Sequence, residues 1–218
     1  MTGRSVALVA VLSCVLPAVA LARVRTSAQA PGDFDYYVLS MTWSPQYCLA
    51  PAGTSERALC GKGRRHTFAL SGLQPRNNYS GPKACAATPP LPAHLVDAML
   101  DIMPEASLVR REWQEHGTCS GLGATAYFDK SRAAFQAVSI PAAYKNPREL
   151  QRVTPSRLAQ QFVIVNPKLA ADDIAVRCDG HILREVHVCL DRFLEPRPCT
   201  LGERQHCRAG EIVVPPVP

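Results

Sequence analysis

The chain holds nine cysteines in 218 residues but no CxxC pair. Structural zinc sites draw on such closely spaced ligands. Their absence turns the cysteines away from metal and toward covalent pairing. A second long apolar run is also missing. Beyond residues 1–22 nothing is long and apolar enough for the ~20-residue span of a bilayer helix. There is no internal repeat and no domain-sized linker, which argues against a solenoid or two separate lobes. No strong charge imbalance is present either: the net charge is +6. A mildly basic chain attracts polyanions, but many secreted proteins with other partners are equally basic.

What is present begins with an export signal. Arg4 supplies a positive start, and Val6 to Val19 is apolar apart from Ser13, Cys14 and Pro17. Ala20-Leu21-Ala22 fits an A-x-A cleavage site. The run is short for a membrane anchor, and Pro17 interrupts it. We therefore expect residues 1–22 to be a signal peptide, 23–34 a flexible leader and 35–218 one domain with its own core. Loss of Arg4 lowers the charge from +6 to +5. Loss of Cys14 leaves Cys48, Cys60, Cys85, Cys119, Cys178, Cys189, Cys199 and Cys207. An even count in an exported chain reads as four disulfides, with about a hundred pairings open.

Residues 35–43 (DYYVLSMTW) and 66–71 have the aromatic and β-branched character of strands. A loop rich in Pro, Gly and Asn covers 75–92; its Asn78-Tyr79-Ser80 fits a glycosylation acceptor, a pattern common by chance. Apolar spacing predicts helices over Leu91–Met103, Leu108–Cys119 and Asp129–Val138. Thr154-Pro155 is a cap and first helical position for a helix to about Val165. Asp179-Gly180 joins two alternating runs, 174–178 and 182–190, and signals a hairpin. A last strand is expected at Glu211–Val214. Strands at both ends with helices between them predict an α+β fold.

The segment richest in chemistry is Arg111-Glu112-Trp113-Gln114-Glu115-His116-Gly117-Thr118-Cys119. On a helix Glu112 and His116 share one face, which sets a carboxylate beside an imidazole as an acid/base pair. A surface ion pair is the plainer reading of the same spacing.

This segment resembles the HEWxKHGTC segment of the ribonuclease T2 family. Residues 68–75, FALSGLQP, resemble the family's FTLHGLWP, and residues 37–48 (YVLSMTWSPQYC) its first strand and WxPxxC ending. Residues 177–190 (RCDGHILREVHVCL) resemble the cysteine hairpin of bacterial members. The resemblance implies an antiparallel sheet flanked by helices. It also implies the pairs Cys48–Cys60, Cys85–Cys119, Cys178–Cys207 and Cys189–Cys199. The implied reaction is cleavage of single-stranded RNA through a 2′,3′-cyclic phosphate, with no metal or other cofactor. The signal peptide implies export, to the periplasm or beyond, and the resemblance implies a monomer.

Carried over residue by residue, the resemblance makes His116 the general base and Glu112 a carboxylate supporting the transition state. Four other positions are altered. The general-acid His is Ser71, whose hydroxyl cannot replace an imidazolium; losing one acid/base group costs ~10²–10⁴ in rate. The base-stacking Trp is Gln74, a loss of ~1–3 kcal/mol per stacked base. The Lys that steadies the phosphorane is Glu115, and a phosphate-binding His is Arg111, which binds phosphate well. Arg111 and Glu115 stand at i and i+4 and can pair with each other.

The expectation is an RNA-binding T2-type protein with severely impaired cleavage. The alternatives are an active ribonuclease with a non-standard acid and a non-catalytic secreted binding scaffold. The remaining histidines at 66, 94, 181, 187 and 206 read as structural or solvated. Trp43 and Trp113 read as core, and Gly117, Thr118 and Cys119 as structural. Arg64-Arg65 forms a short basic patch that reads as solvated.

Overall fold

The computed structural model describes residues 30–49, 57–61, 66–78, 81–204, 207 and 210–217. The signal peptide, Arg64, Arg65, His206, Tyr79 and Ser80 lie outside the described residues. The strands are β1 (Tyr36–Trp43), β2 (Phe68–Arg76), β3 (Gln151–Val153), β4 (Ile174–Asp179), β5 (Ile182–Leu190) and β6 (Ile212–Val214). The helices are α1 (Ser44–Leu49), α2 (Arg57–Cys60), α3 (Ala93–Asp97), α4 (Ala106–Glu115), α5 (Ala124–Gln136), α6 (Pro155–Val165) and α7 (Leu201–Arg204). The fold is α+β, with one sheet ordered β2-β1-β5-β6-β3 and β4 paired to β5. Its ladders are antiparallel except that β6 meets β5 through one parallel pair, Ile182 with Val213.

β1 is buried on both faces because each of its two residue sets has a different cover. Tyr37, Leu39, Met41 and Trp43 enter the main core with Trp113, Tyr127 and Phe162 from the helices. Tyr36 and Val38 turn the other way, onto Ala175 and the Cys189–Cys199 bridge. Successive strand side chains alternate faces, so Ser40 and Thr42 share that second face. Both tryptophans are core, with Trp43 fully buried and Trp113 6% exposed.

Several expected boundaries move, among them that of α5, expected over Asp129–Val138 and found at Ala124–Gln136. β2 runs on to Arg76 and includes Pro75, which an edge strand tolerates because no ladder donor is needed on its open side. The helix expected over Leu91–Met103 is short: α3 stops at Asp97 and the chain continues as turns to Ser107's helix, α4. The cap is as expected, with Thr154 Oγ1 accepting from the Arg157 amide at 3.2 Å. The hairpin turn is too, with Gly180 at φ +58°, a conformation L side chains disfavour.

The four disulfides are Cys48–Cys60, Cys85–Cys119, Cys178–Cys207 and Cys189–Cys199. Cys85–Cys119 fastens residues 81–85 across the end of α4, where the Ala84 amide also donates to the Glu115 carbonyl at 2.9 Å. Replacing both cysteines by alanine should cost about 4 kcal/mol in urea unfolding, the loop-closure value for a bridge of this span. No loss of stability would show that the segment is held by its other contacts alone.

Candidate active site

A cleft of about 200 Å³ opens between α4 and the sheet. One wall is α4, with Arg111, Glu112, Glu115 and His116; the other is strand, with Ser71 and Gln74 of β2, Thr42 of β1 and Arg184 and Glu185 of β5. All six positions singled out in the sequence thus line one cavity. His66, His94 and His181 do not line it, and His94 and His181 are exposed.

Ser71 is there because β2 carries a bulge. Ser40 pairs with Gly72 and Met41 with Leu70, so Ser71 has no partner in the ladder. A bulge re-aims the extra side chain. Ser71 Oγ hydrogen-bonds Thr42 Oγ1. The hydroxyl is thereby tied to a second hydroxyl, not to any group able to give up a proton near neutrality.

Glu112 and His116 are not a surface ion pair: each is 6% exposed. α4 ends at Glu115, and the His116 amide caps it onto the Glu112 carbonyl at 2.9 Å. Glu112 Oε1 accepts from Tyr127 Oη at 2.8 Å, and that hydroxyl also lies 3.1 Å from the Leu73 carbonyl. Burial pushes the Glu112 carboxyl up to about 8, against the Tyr127 hydrogen bond. Burial likewise pushes His116 down to about 4, helped by the charges of Arg76 and Lys83. A neutral imidazole in the cleft can accept a proton, as a general base must. His116 Nδ1 is buried without a hydrogen-bond partner among the described residues.

These two shifts give stability opposite dependences on pH. Glu112 is raised from 4.5 to about 8, so within that window the native state keeps a proton the unfolded chain has lost. Stability therefore falls as pH rises. His116 is lowered from 6.5 to about 4, so there the unfolded chain holds the extra proton and stability rises with pH. They oppose each other below about 6.5, and Glu112 acts alone above it. We expect urea stability to fall between pH 6.5 and 8, by at most about 1.4 kcal/mol per pH unit. Glu112→Gln should flatten that slope; an unchanged slope in the variant would assign it to another group.

Arg111 and Glu115 do not pair with each other. Glu115 Oε2 lies 3.7 Å from Lys83 Nζ and 3.9 Å from His116 Nε2. Lys83 comes from the segment that the Cys85–Cys119 bridge holds against α4, and it reaches Glu115 first. Arg111 is exposed and has no ion-pair partner among the described residues.

The sequence reading missed an ionic network under the cleft. His187, 2% exposed, lies between two carboxylates: Nε2 is 2.8 Å from Glu185 Oε2 and Nδ1 is 3.2 Å from Glu203 Oε2. Ser40 Oγ is 3.1 Å from the same Nε2. Arg177 reaches both carboxylates, at 3.6 and 3.8 Å. Arg76 lies 3.9 Å from Glu203 and donates to Gln74 Oε1 at 2.7 Å. Burial works against ionised Glu203, but His187, Arg76 and Arg177 outweigh it and hold the carboxyl at about 2. Burial also works against ionised Glu185, and His187, Arg184 and Arg177 outweigh it and lower that carboxyl. Both ends of this chain of contacts, Gln74 and Glu185, line the cleft. Only the alternation of Glu185, His187 and Cys189 along one strand face hinted at it.

The Ribonuclease T2 family model matches residues 34–199, and this chain belongs to that family. It is 38% identical over 92 residues to a ribonuclease of Aeromonas hydrophila, covering 42% of this chain and 40% of that one. It is 32% identical over 131 residues to a probable ribonuclease of Haemophilus influenzae, covering 54% and 47%. The chain thus spans under half the length of these two relatives. Among solved structures it is similar to RNase NT in complex with 5′-AMP, with a TM-score of 0.64 and 20% identity over 84% of this chain and 99% of the other. That likeness is one of fold.

No helix among the described residues is long and apolar enough to cross a membrane. No group of three or more His, Cys, Asp or Glu side chains among them could hold a metal ion. Four disulfides suit an oxidising compartment.

Proposed function

We propose that this protein is an exported member of the ribonuclease T2 family that binds single-stranded RNA in the α4 cleft and cleaves it very poorly. His116 takes the base position and Glu112 supports it. Arg111 is available to phosphate, and Ser71, Gln74 and Glu115 replace the acid, a stacking ring and a cation.

One observation carries the reading: His116 is the only imidazole lining the cleft among the described residues. General acid–base cleavage needs a proton donor as well as an acceptor, and Ser71 is bonded to Thr42 instead. The 5′-AMP bound to RNase NT supports a nucleotide ligand for this fold.

The test is fluorescence anisotropy with 2′-O-methyl single-stranded RNA, which has no free 2′-hydroxyl to attack its phosphate. Binding that weakens with salt, and weakens further in Arg111→Ala, supports the reading. No binding at low salt would leave a scaffold for a different ligand.

A second reading, an active enzyme with a non-standard acid, draws on Glu112. Its carboxyl is held protonated near neutrality by burial and lines the cleft, so it could donate a proton. Cleavage by the wild type that Glu112→Gln abolishes would favour it.

A further inference from the structure

We propose that Arg184 is a phosphate-binding residue of the cleft, acting from the sheet wall opposite Arg111 and supplying the cation that Glu115 does not. The proposal rests on the RNA-binding reading above and names which groups hold the backbone of the ligand.

The first support is a bulge. Along β4 and β5, Arg177 pairs with Glu185 and Cys178 with Leu183, so Arg184 is skipped in the ladder. Without the extra residue Arg184 and Glu185 would point to opposite faces of β5. With it, both line the cleft. The core confirms the change of parity: Leu183 lies in the main cluster with Val186 and Val188, an offset of three on one side. Ser71, the other bulged residue, faces the same cavity. Bulges are over-represented beside active sites, where they bend the strand locally and re-aim a side chain.

The second support is the charge balance of the lining. Its acids are already matched. Glu115 has Lys83 at 3.7 Å. Glu185 has His187 at 2.8 Å and Arg177 at 3.6 Å. Burial keeps Glu112 protonated near neutrality. Arg184 also touches Glu185, through Nε at 3.5 Å, and helps hold that carboxyl down, but its side chain is 61% exposed, and His187 and Arg177 stay on Glu185 when the guanidinium turns to an anion. Arg111 has no ion-pair partner among the described residues. Two guanidinium groups from facing walls therefore remain for an anion, and guanidinium binds phosphate oxygens through paired N–H donors.

The probe is a fluorescein-labelled 2′-O-methyl oligouridylate, titrated across a salt series with the oxidised full chain. Arg184→Gln should weaken binding roughly tenfold or more. It should also reduce the slope of log K against log salt by about 0.7, one phosphate contact on a single strand. Arg184→Lys should keep the slope while losing part of the affinity. Arg148→Gln, the same charge change at an exposed arginine that does not line the cleft, is the control and should leave both nearly unchanged. If Arg184→Gln matches Arg148→Gln in affinity and slope while the wild type binds, Arg184 holds no phosphate and only this proposal fails. If the wild type does not bind the oligonucleotide, this proposal and the RNA-binding reading fail together.

Discussion

The double variant Ser71→His/Glu115→Lys is expected to cleave single-stranded RNA about 10²–10⁴ times faster than the wild type. The gain has two sources. An imidazole at the bulged position 71 would project into the cleft from the wall facing His116 and could protonate the departing 5′ oxygen. A lysine at 115 would replace a carboxylate at the rim of the same cleft and release Lys83 from its present pair. Fixed cations at a developing phosphoryl charge are among the largest contributions to catalysis. The base needs no adjustment, since burial already keeps His116 neutral. Ser71→His alone should recover part of the rate, because the acid is the scarcer role. The measurement is initial rate on a fluorescent RNA, with His116→Ala added to the double variant as a blank. A double variant no faster than the wild type would mean that the scaffold no longer holds the reactive geometry.

The second large effect is on stability. Gly72→Ala should destabilise the fold by about 2–6 kcal/mol, since a Cβ there would overlap the Glu112 carboxylate. Displacing that carboxylate breaks its bond to Tyr127. Overpacking a core costs ~1–3 kcal/mol, and a buried polar group left unpaired costs a further ~1–3 kcal/mol. This is a large share of the roughly 5–15 kcal/mol that holds a domain together. Glu112→Ala empties the space the new methyl needs. The double variant Gly72→Ala/Glu112→Ala should therefore be more stable than the two single costs predict, with a coupling of ~0.5–3 kcal/mol in urea unfolding. Strict additivity would show that the methyl meets backbone strain and not the carboxylate. The pair also explains why a glycine stands inside a strand, where its backbone freedom is normally a disadvantage.

The fold was legible because its signals are local. The aromatic and β-branched run of β1, the Asp179-Gly180 turn and the Thr154-Pro155 cap each depend on residues within a few positions of one another. The α4 segment was legible for the same reason, since Glu112 and His116 lie four apart. What the sequence hid depends on pairing between distant segments. The bulges that place Ser71 and Arg184 exist only relative to β1 and β4, and no pattern within β2 or β5 marks them. The network around His187 joins residues as far apart as Ser40, 147 positions away. Glu115 finds Lys83 instead of Arg111 because a disulfide carries Lys83 there, and that contact has no helical period. β3 is three residues long and carries too little pattern to stand out before the sheet forms, whereas β6 was expected at Glu211–Val214.

The reading of a base without its acid is tested most directly by one comparison. Purified, oxidised wild type and His116→Ala would be incubated with a fluorescent single-stranded RNA in enzyme excess, and the two cleavage rates compared. The two rates should be the same within error, because an imidazole with no proton donor opposite it contributes little. A wild-type rate well above background that His116→Ala abolishes would contradict that reading, and would show a working ribonuclease whose acid lies elsewhere in the cleft.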